Sequence, residues 1–118
     1  MKPENNLKVR MIRFSVSVMK LAHIHAREQV LVPVFQQVIR SSGSVGANVT
    51  EAHGSITKAG FVRYFHIALQ SANETKYWLE VILAYGLKEL EVLLNLIREV
   101  EEFIKIITAS LRTMKSRP

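Results

Sequence analysis

Apolar residues recur at three- and four-residue steps along most of this 118-residue chain, and that spacing places them on one face of an α-helix. The clearest repeat lies towards the C-terminal end, between residues 90 and 111. Its members are Leu90, Leu93, Leu94, Ile97, Val100, Ile104, Ile107 and Leu111. We therefore predict a long amphipathic helix there.

The first apolar stripe is broader and permits a second interpretation. It contains Met11, Phe14, Val18 and Leu21, with Ile12, Val16 and Met19 beside them. Residues 14–18 also alternate between apolar and polar types, and their β-branched content would fit a strand. The basic flanks and the periodic continuation to Ile24 favour a helix.

Turn-forming residues divide the chain into four pieces. Pro33 fits the first turn of a helix, and Gly54 and Gly86 fit helix C-termini. Ser55 or Thr57 is a candidate N-cap for the piece that follows. The sequence therefore predicts one all-α domain with helices over about residues 7–28, 33–53, 57–85 and 89–114. Because the connections are short, these helices should form an up-down-up-down four-helix bundle.

A run of serines and glycines at residues 41–46 interrupts the second predicted helix. Helix propensity alone would break the helix there. The alternative is a glycine-rich phosphate loop, but such loops need Gly-Lys-Ser/Thr or Gly-x-Gly-x-x-Gly between a strand and a helix, and neither pattern occurs. We expect these small residues to let another backbone approach a continuous helix closely.

Positive charge is concentrated near the two ends of the sequence. The formal net charge is +6 and the pI is about 9.9, and all ten acidic residues are Glu. Residues 80–102 carry a net charge of −4, whereas residues 1–27 carry +5 and residues 103–118 carry +4. In the predicted bundle both termini share one end with the turn between the second and third helices. That end would gather Lys2, Lys8, Arg10, Arg13, Lys58, Arg63, Arg112, Lys115 and Arg117, with Glu80, Glu89 and Glu91 nearer the other end.

A basic end of this kind suggests an anionic partner such as RNA or DNA. No zinc finger, basic zipper or RNA-recognition motif is present, so binding should be driven by phosphates and sensitive to salt. The alternative is that the last cations only complement a helix C-terminus while the others are solvated. The main candidates for nucleic-acid contact are Lys8, Arg10, Arg13, Arg63, Arg112 and Lys115.

Polar residues also recur at core spacing on the second and third predicted helices. They predict a hydrogen-bonded network between the two helices, which specifies register when every group is satisfied. An aromatic pair beside them could stack on bases, but aromatics at helical spacing more often belong to a core or a subunit interface. The candidate residues are Ser44, Asn48, Glu51, Glu74, Thr75, Tyr77 and Trp78, with Ser71 alongside.

Little in the sequence suggests catalysis, a metal or a membrane. There is no cysteine, and the pairs Glu51/His53 and His23/His25 have a two-residue spacing that points their side chains apart. We therefore expect no catalytic residues, no metal and no cofactor. The longest stretches without charge are 29–39 and 41–50, too short to span a bilayer, and no signal-peptide core follows the N-terminus. The cytoplasm is the default location.

Two stretches carry a family resemblance. Residues 40–52 read RSSGSVGANVTEA and residues 67–79 read IALQSANETKYWL, with Phe61 between them. They resemble the bacterial four-helix-bundle family first associated with intervening sequences in 23S ribosomal RNA genes. The same fold includes the accessory variability protein of diversity-generating retroelements. The resemblance implies a ring-like homopentamer, and its retroelement members are implicated in binding nucleic acid and a reverse transcriptase.

The resemblance can be followed residue by residue. Gln70 and Ser71 stand where relatives often carry Lys and Glu, which weakens any phosphate contact by the third helix. The family supplies no catalytic set. The sequence thus favours a non-enzymatic nucleic-acid-binding bundle, with a scaffold for a protein partner as the alternative and a di-metal enzyme as a third hypothesis. On the family motif fall Ser44, Gly46, Ala47, Asn48, Glu51, Ala68, Glu74, Thr75, Tyr77 and Trp78.

Overall fold

Four α-helices account for nearly all of the chain that the computed structural model describes, which is residues 3–117, with the backbone alone for residues 3–6. No strand occurs in this range. The bundle is elongated, with extents of 51 × 26 × 19 Å. The helices are α1 (Pro3–Ile24), α2 (Leu31–His53), α3 (Lys58–Tyr85) and α4 (Leu90–Ser116).

Each helix packs against its neighbour in sequence, and α1 also contacts α4, so the four helices close into an up-down-up-down bundle. Two contacts identify its ends. At one end, the Lys58 Nζ donates to the main-chain oxygen of Arg117 at 2.5 Å. At the other, the His25 Nε2 lies 2.7 Å from the Glu89 Oε1 and joins the α1–α2 connection to the α3–α4 connection. The predicted all-α four-helix bundle is confirmed.

The first helix ends four residues earlier than the sequence predicts. Residues 26–30 are all exposed, so a further helical turn would bury no apolar side chain that could stabilise it. The chain instead forms tight turns, with the His25 N–H donating to the Ala22 oxygen at 3.0 Å. The second helix begins at Leu31 because that side chain is buried, which leaves Pro33 in the first turn, where no backbone N–H donor is needed.

Local signals define the third helix at both ends. The Thr57 Oγ1 accepts from the Gly60 N–H at 3.0 Å, which makes Thr57 the N-cap. Gly86 ends the helix with φ of 98°, a conformation that favours glycine.

All four helices contribute buried apolar side chains to one core. Phe14 and Val18 are buried between exposed or half-buried neighbours at helical spacing, so the strand interpretation of residues 14–18 is wrong. The Phe14 ring meets the Phe103 ring edge-on at 5.5 Å, which ties α1 to α4.

The serine- and glycine-rich run at 41–46 lies entirely within α2, so it forms no phosphate loop. A Cβ at Gly46 would lie 3.3 Å from the Met11 Cβ, so the expected close approach of another helix occurs there, with α1 as the partner. Gly43 is exposed and has nothing within 4 Å of such a Cβ. The expectation of close packing is therefore wrong for Gly43.

Candidate nucleic-acid interface

The end of the bundle that holds the α2–α3 connection and the C-terminal turn of α4 is strongly cationic. Its contact between Lys58 and Arg117 brings the start of α3 beside the end of α4. The Lys76 Nζ lies 3.2 Å from the Glu101 Oε2, and these two contacts set an antiparallel register that puts Arg63 level with the last two turns of α4. We call this surface the basic end; its exposed cations are Lys58, Arg63, Arg112, Lys115 and Arg117.

The structure does not bring all six predicted cations together. Lys8, Arg10 and Arg13 lie about 8 to 15 Å along α1 from its first residue. Within residues 3–117, α1 contacts α2 and α4 but not α3, so these three residues and Arg63 belong to opposite sides of the bundle. Lys8, Arg10 and Arg13 are therefore not adjacent to Arg63, and nucleic-acid contact by the six residues stays a prediction. Lys2 lies outside the described residues.

Arg10 is engaged within the fold rather than presented to solvent. Its Nη2 and Nε donate to the Glu99 carboxylate at 2.7 and 3.1 Å, and its guanidinium lies 5.5 Å from the centre of the Phe103 ring. The hydrogen bond to Glu99 is the main cause of a raised Arg10 pKa. Contact with phosphate would require this bidentate pair to open, so Arg10 is better described as a link between α1 and α4.

Lys8 and Arg13, in contrast, are exposed on α1. Lys8 lines an open groove of about 420 Å³ between α1 and α2, and Arg13 lines another of about 360 Å³ between α1 and α4. They flank an apolar surface that belongs to the broad helical stripe predicted for α1. We call it the α1 apolar face; its members are Ile12 (53% exposed), Val16 (41%), Met19 (55%) and Ile24 (61%).

Hydroxyl groups link α2 to α3 through the middle of the bundle, as the polar spacing predicts. The Ser44 and Ser71 hydroxyls are 2.8 Å apart, and the Asn48 Nδ2 donates to the Ser44 main-chain oxygen at 2.8 Å. The Thr75 and Ser41 hydroxyls are also 2.8 Å apart, and both residues are fully buried. Ser41 was missed, although it lies one helical turn before Ser44 on the same face.

The carboxylates predicted for this network lie at its edge or outside it. Glu74 is half-buried, pairs with Arg40 and accepts from the Trp78 Nε1 at 3.2 Å. Glu51 is exposed near the end of α2 and takes no part in the hydroxyl links described above. Its inclusion in the network is wrong, because Glu51 lines the open groove between α1 and α2 instead.

The aromatic pair divides between the core and the surface. Trp78 is half-buried and packs against the core, whereas Tyr77 is 58% exposed. Their rings meet edge-on at 5.1 Å. Trp78 therefore follows the core interpretation, and Tyr77 is presented on the outer side of α3.

At the end opposite the basic end, His25 is held between two carboxylates. Its Nδ1 lies 2.5 Å from the Glu28 Oε2 and its Nε2 lies 2.7 Å from the Glu89 Oε1, and the ring stacks on Phe35 at 5.9 Å. Burial lowers the pKa of His25, but the hydrogen bonds to Glu89 and Glu28 outweigh it and the net pKa is raised. The hydrogen bond from His25 is the main cause of a lowered Glu89 pKa. Only the three-residue step from His25 to Glu28 could have indicated this contact from the sequence.

The described residues contain no group of three or more His and Glu side chains arranged to hold a metal ion. Nor does any helix of residues 3–117 combine the length and apolar character needed to cross a membrane.

The family model described as 23S rRNA-intervening sequence protein matches residues 4–109 of the chain. The chain belongs to the 23S rRNA-intervening sequence protein family. The resemblance found in the sequence is thus confirmed. The match spans the hydroxyl links between α2 and α3 and ends before Arg112, Lys115 and Arg117.

A solved structure supports the assignment to the 23S rRNA-intervening sequence proteins. It is the crystal structure of a protein of unknown function from the S23 ribosomal protein family of Bacteroides thetaiotaomicron VPI-5482. The two chains are 29% identical and superpose with a TM-score of 0.83, over 94% of this chain and 99% of that chain. No curated protein matches the sequence.

Proposed function

We propose that this protein binds nucleic acid non-enzymatically through phosphate contacts at the basic end. The observation that carries the proposal is the contact between Lys58 and the main chain of Arg117, because it joins the cations of α3 to those of α4. Five exposed cations then share one surface. The family description, which names intervening sequences of 23S rRNA, supports RNA as the first nucleic acid to test.

The expected binding is electrostatic and has a defined salt dependence. If all five cations neutralise phosphates of a single strand, log K should fall against log salt with a slope of about −3.5. Sequence preference should be weak, since phosphate contacts position a protein without reading bases. The expectation of a cytoplasmic location stays a prediction.

The test uses fluorescence anisotropy with a labelled 20-nucleotide RNA at several salt concentrations. We expect R112E/K115E to weaken binding by about tenfold or more at low salt and to reduce the slope to about −2. The matched control is K20E/K88E, which changes net charge equally at exposed positions near the opposite end. Equal losses in both variants would contradict the proposal, because net charge alone would then set the affinity.

Both variants need a thermal melt beside the binding curve. Lys115 lies in the last turn of α4, where a cation also stabilises the helix dipole. If R112E/K115E folds as the control does and still loses RNA, the cations act on the ligand and not only on their own helix.

The second candidate is a scaffold for a protein partner, of which a reverse transcriptase is the example that the resemblance implies. The observation that favours it is the α1 apolar face, which leaves four large side chains 41–61% exposed beside an open groove. We propose that the α1 apolar face packs against a neighbouring copy of the chain in the ring-like homopentamer that the resemblance implies.

Light scattering after size exclusion tests this second candidate. We expect the wild-type chain to assemble and I12E/M19E to be monomeric, because two buried carboxylates would be uncompensated in an apolar interface. The control is S17E, on the exposed side of α1 outside the apolar face. A monomeric wild-type protein at 100 µM would contradict the assembly.

A further inference from the structure

The tip of the α2–α3 connection carries an isoleucine with a fully exposed side chain. Ile56 is 100% exposed, whereas the next most exposed large apolar residue, Val30, is 63% exposed. Single apolar residues on a surface are common. Complete exposure at the tip of a charged surface is the feature that requires an explanation.

The connection around Ile56 is held in place on both sides. Before it, the Ser55 N–H donates to the Ala52 oxygen at 3.0 Å. After it, the Thr57 hydroxyl caps α3 by accepting from the Gly60 N–H at 3.0 Å. Ser55 packs so closely on α3 that a Cβ at Gly60 would lie 2.2 Å from its Oγ. The fold therefore presents Ile56 to solvent on a fixed turn.

Cations follow this apolar tip in α3 and lie at the end of α4. Lys58 follows two residues later and contacts the Arg117 main chain, so the end of α4 lies beside the turn. If the phosphates of a nucleic-acid strand bind the basic end, the bases of that strand would lie within reach of Ile56. Proteins that bend a duplex insert apolar side chains between base steps, at the cost of unstacking them, and an unpaired base would spare that cost.

We propose that Ile56 contacts unstacked nucleobases at the basic end, so that this surface selects strands with unpaired bases over a continuous duplex. The inference rests on the proposed function and adds the class of nucleic acid. The preference arises because a base that is already exposed can cover the isoleucine without first leaving a stack. The cations supply affinity, and the apolar tip supplies the choice between single-stranded and duplex RNA.

The test compares an unstructured 20-nucleotide RNA with a blunt 20-base-pair RNA duplex, using wild type and I56S. Loss of the apolar contact should weaken single-strand binding about fivefold, with the salt slope unchanged, and alter duplex binding less than twofold. V30S is the matched control, since Val30 is an exposed apolar residue in the α1–α2 connection at the other end, and it should leave both affinities unchanged. Ile56 is fully exposed, so I56S should melt as wild type does.

The outcomes separate this inference from the function on which it rests. If wild type binds RNA with the expected salt slope and I56S binds each probe as tightly as wild type does, the isoleucine contact is refuted and the basic end stands. If wild type binds neither probe at low salt, the proposed function fails as well. Binding to vesicles of phosphatidylcholine and phosphatidylglycerol at 3:1, lost in I56S while RNA binding is kept, would overturn the inference in favour of a membrane contact.

Discussion

The buried hydroxyl pair between α2 and α3 allows a prediction whose size follows from the structure. Thr75 and Ser41 are fully buried, and their hydroxyl oxygens are 2.8 Å apart. Replacing Thr75 by Val keeps the shape and removes the hydroxyl. The Ser41 hydroxyl would retain only its long contact of 3.4 Å to the Val38 oxygen. It would then be a buried donor with almost no hydrogen bond. We expect the free energy of unfolding to fall by about 1 to 3 kcal/mol.

The double variant S41A/T75V tests whether the loss comes from the hydrogen bond. With both hydroxyls removed, no buried polar group is left without a partner, so the combined loss should be smaller than the sum of the single losses. We expect a coupling energy of about 1 kcal/mol or more.

Urea unfolding followed by circular dichroism, at one fixed protein concentration, supplies these free energies. The control is T50V, because the Thr50 hydroxyl makes a similar 2.8 Å bond to the Gly46 oxygen within the same helix but is exposed. It should change stability by less than about 0.5 kcal/mol. Strictly additive losses, or a T75V effect no larger than that of T50V, would show that the buried hydroxyl pair does not stabilise the fold.

Two further predictions concern the bundle ends and the glycines. His25 has a raised pKa, so its contribution to stability is complete below its unfolded-state pKa of 6.5 and disappears as pH rises through its native pKa. Glu89 has a lowered pKa, so its contribution is present above its unfolded-state pKa of 4.5 and is lost as pH falls through its native pKa. The difference in urea midpoint between wild type and H25Q should therefore be largest between pH 4.5 and 6.5, and a difference that is flat up to pH 9 would exclude the ion pair. G43A should stabilise the protein by about 1 kcal/mol, because it gains helix propensity in open space. G60A should give no such gain because its Cβ would displace the Ser55 hydroxyl, and equal stabilisation of both variants would contradict this packing.

The helical period predicts most of the fold because it reports on local burial. Most of the α4 repeat lies on the buried face of that helix, with Leu93, Val100 and Ile107 fully buried and Leu90 exposed. The same period could not show that Ile12 and Val16 are exposed. A stripe that is broader than one buried face contains both core and surface residues, and only the neighbouring helices decide which are which.

The candidate site was less accessible from the sequence because its members meet across long separations. Arg10 looks like any other exposed cation until Glu99, 89 residues away, is placed beside it. The spacing of polar residues found Ser44 and Thr75 because it is a local signal on each helix. The spacing was wrong for Glu51, because it does not show whether α1 or α3 lies beside that residue.

Hydrogen–deuterium exchange with and without a 20-nucleotide RNA tests whether the basic end binds RNA, because it locates the bound surface without any substitution. We expect slower amide exchange in residues 54–63 and 110–117, which form the basic end, and no change in residues 25–30 and 86–90 at the opposite end. Protection confined to α1, or to the end that holds His25 and Glu89, would contradict it.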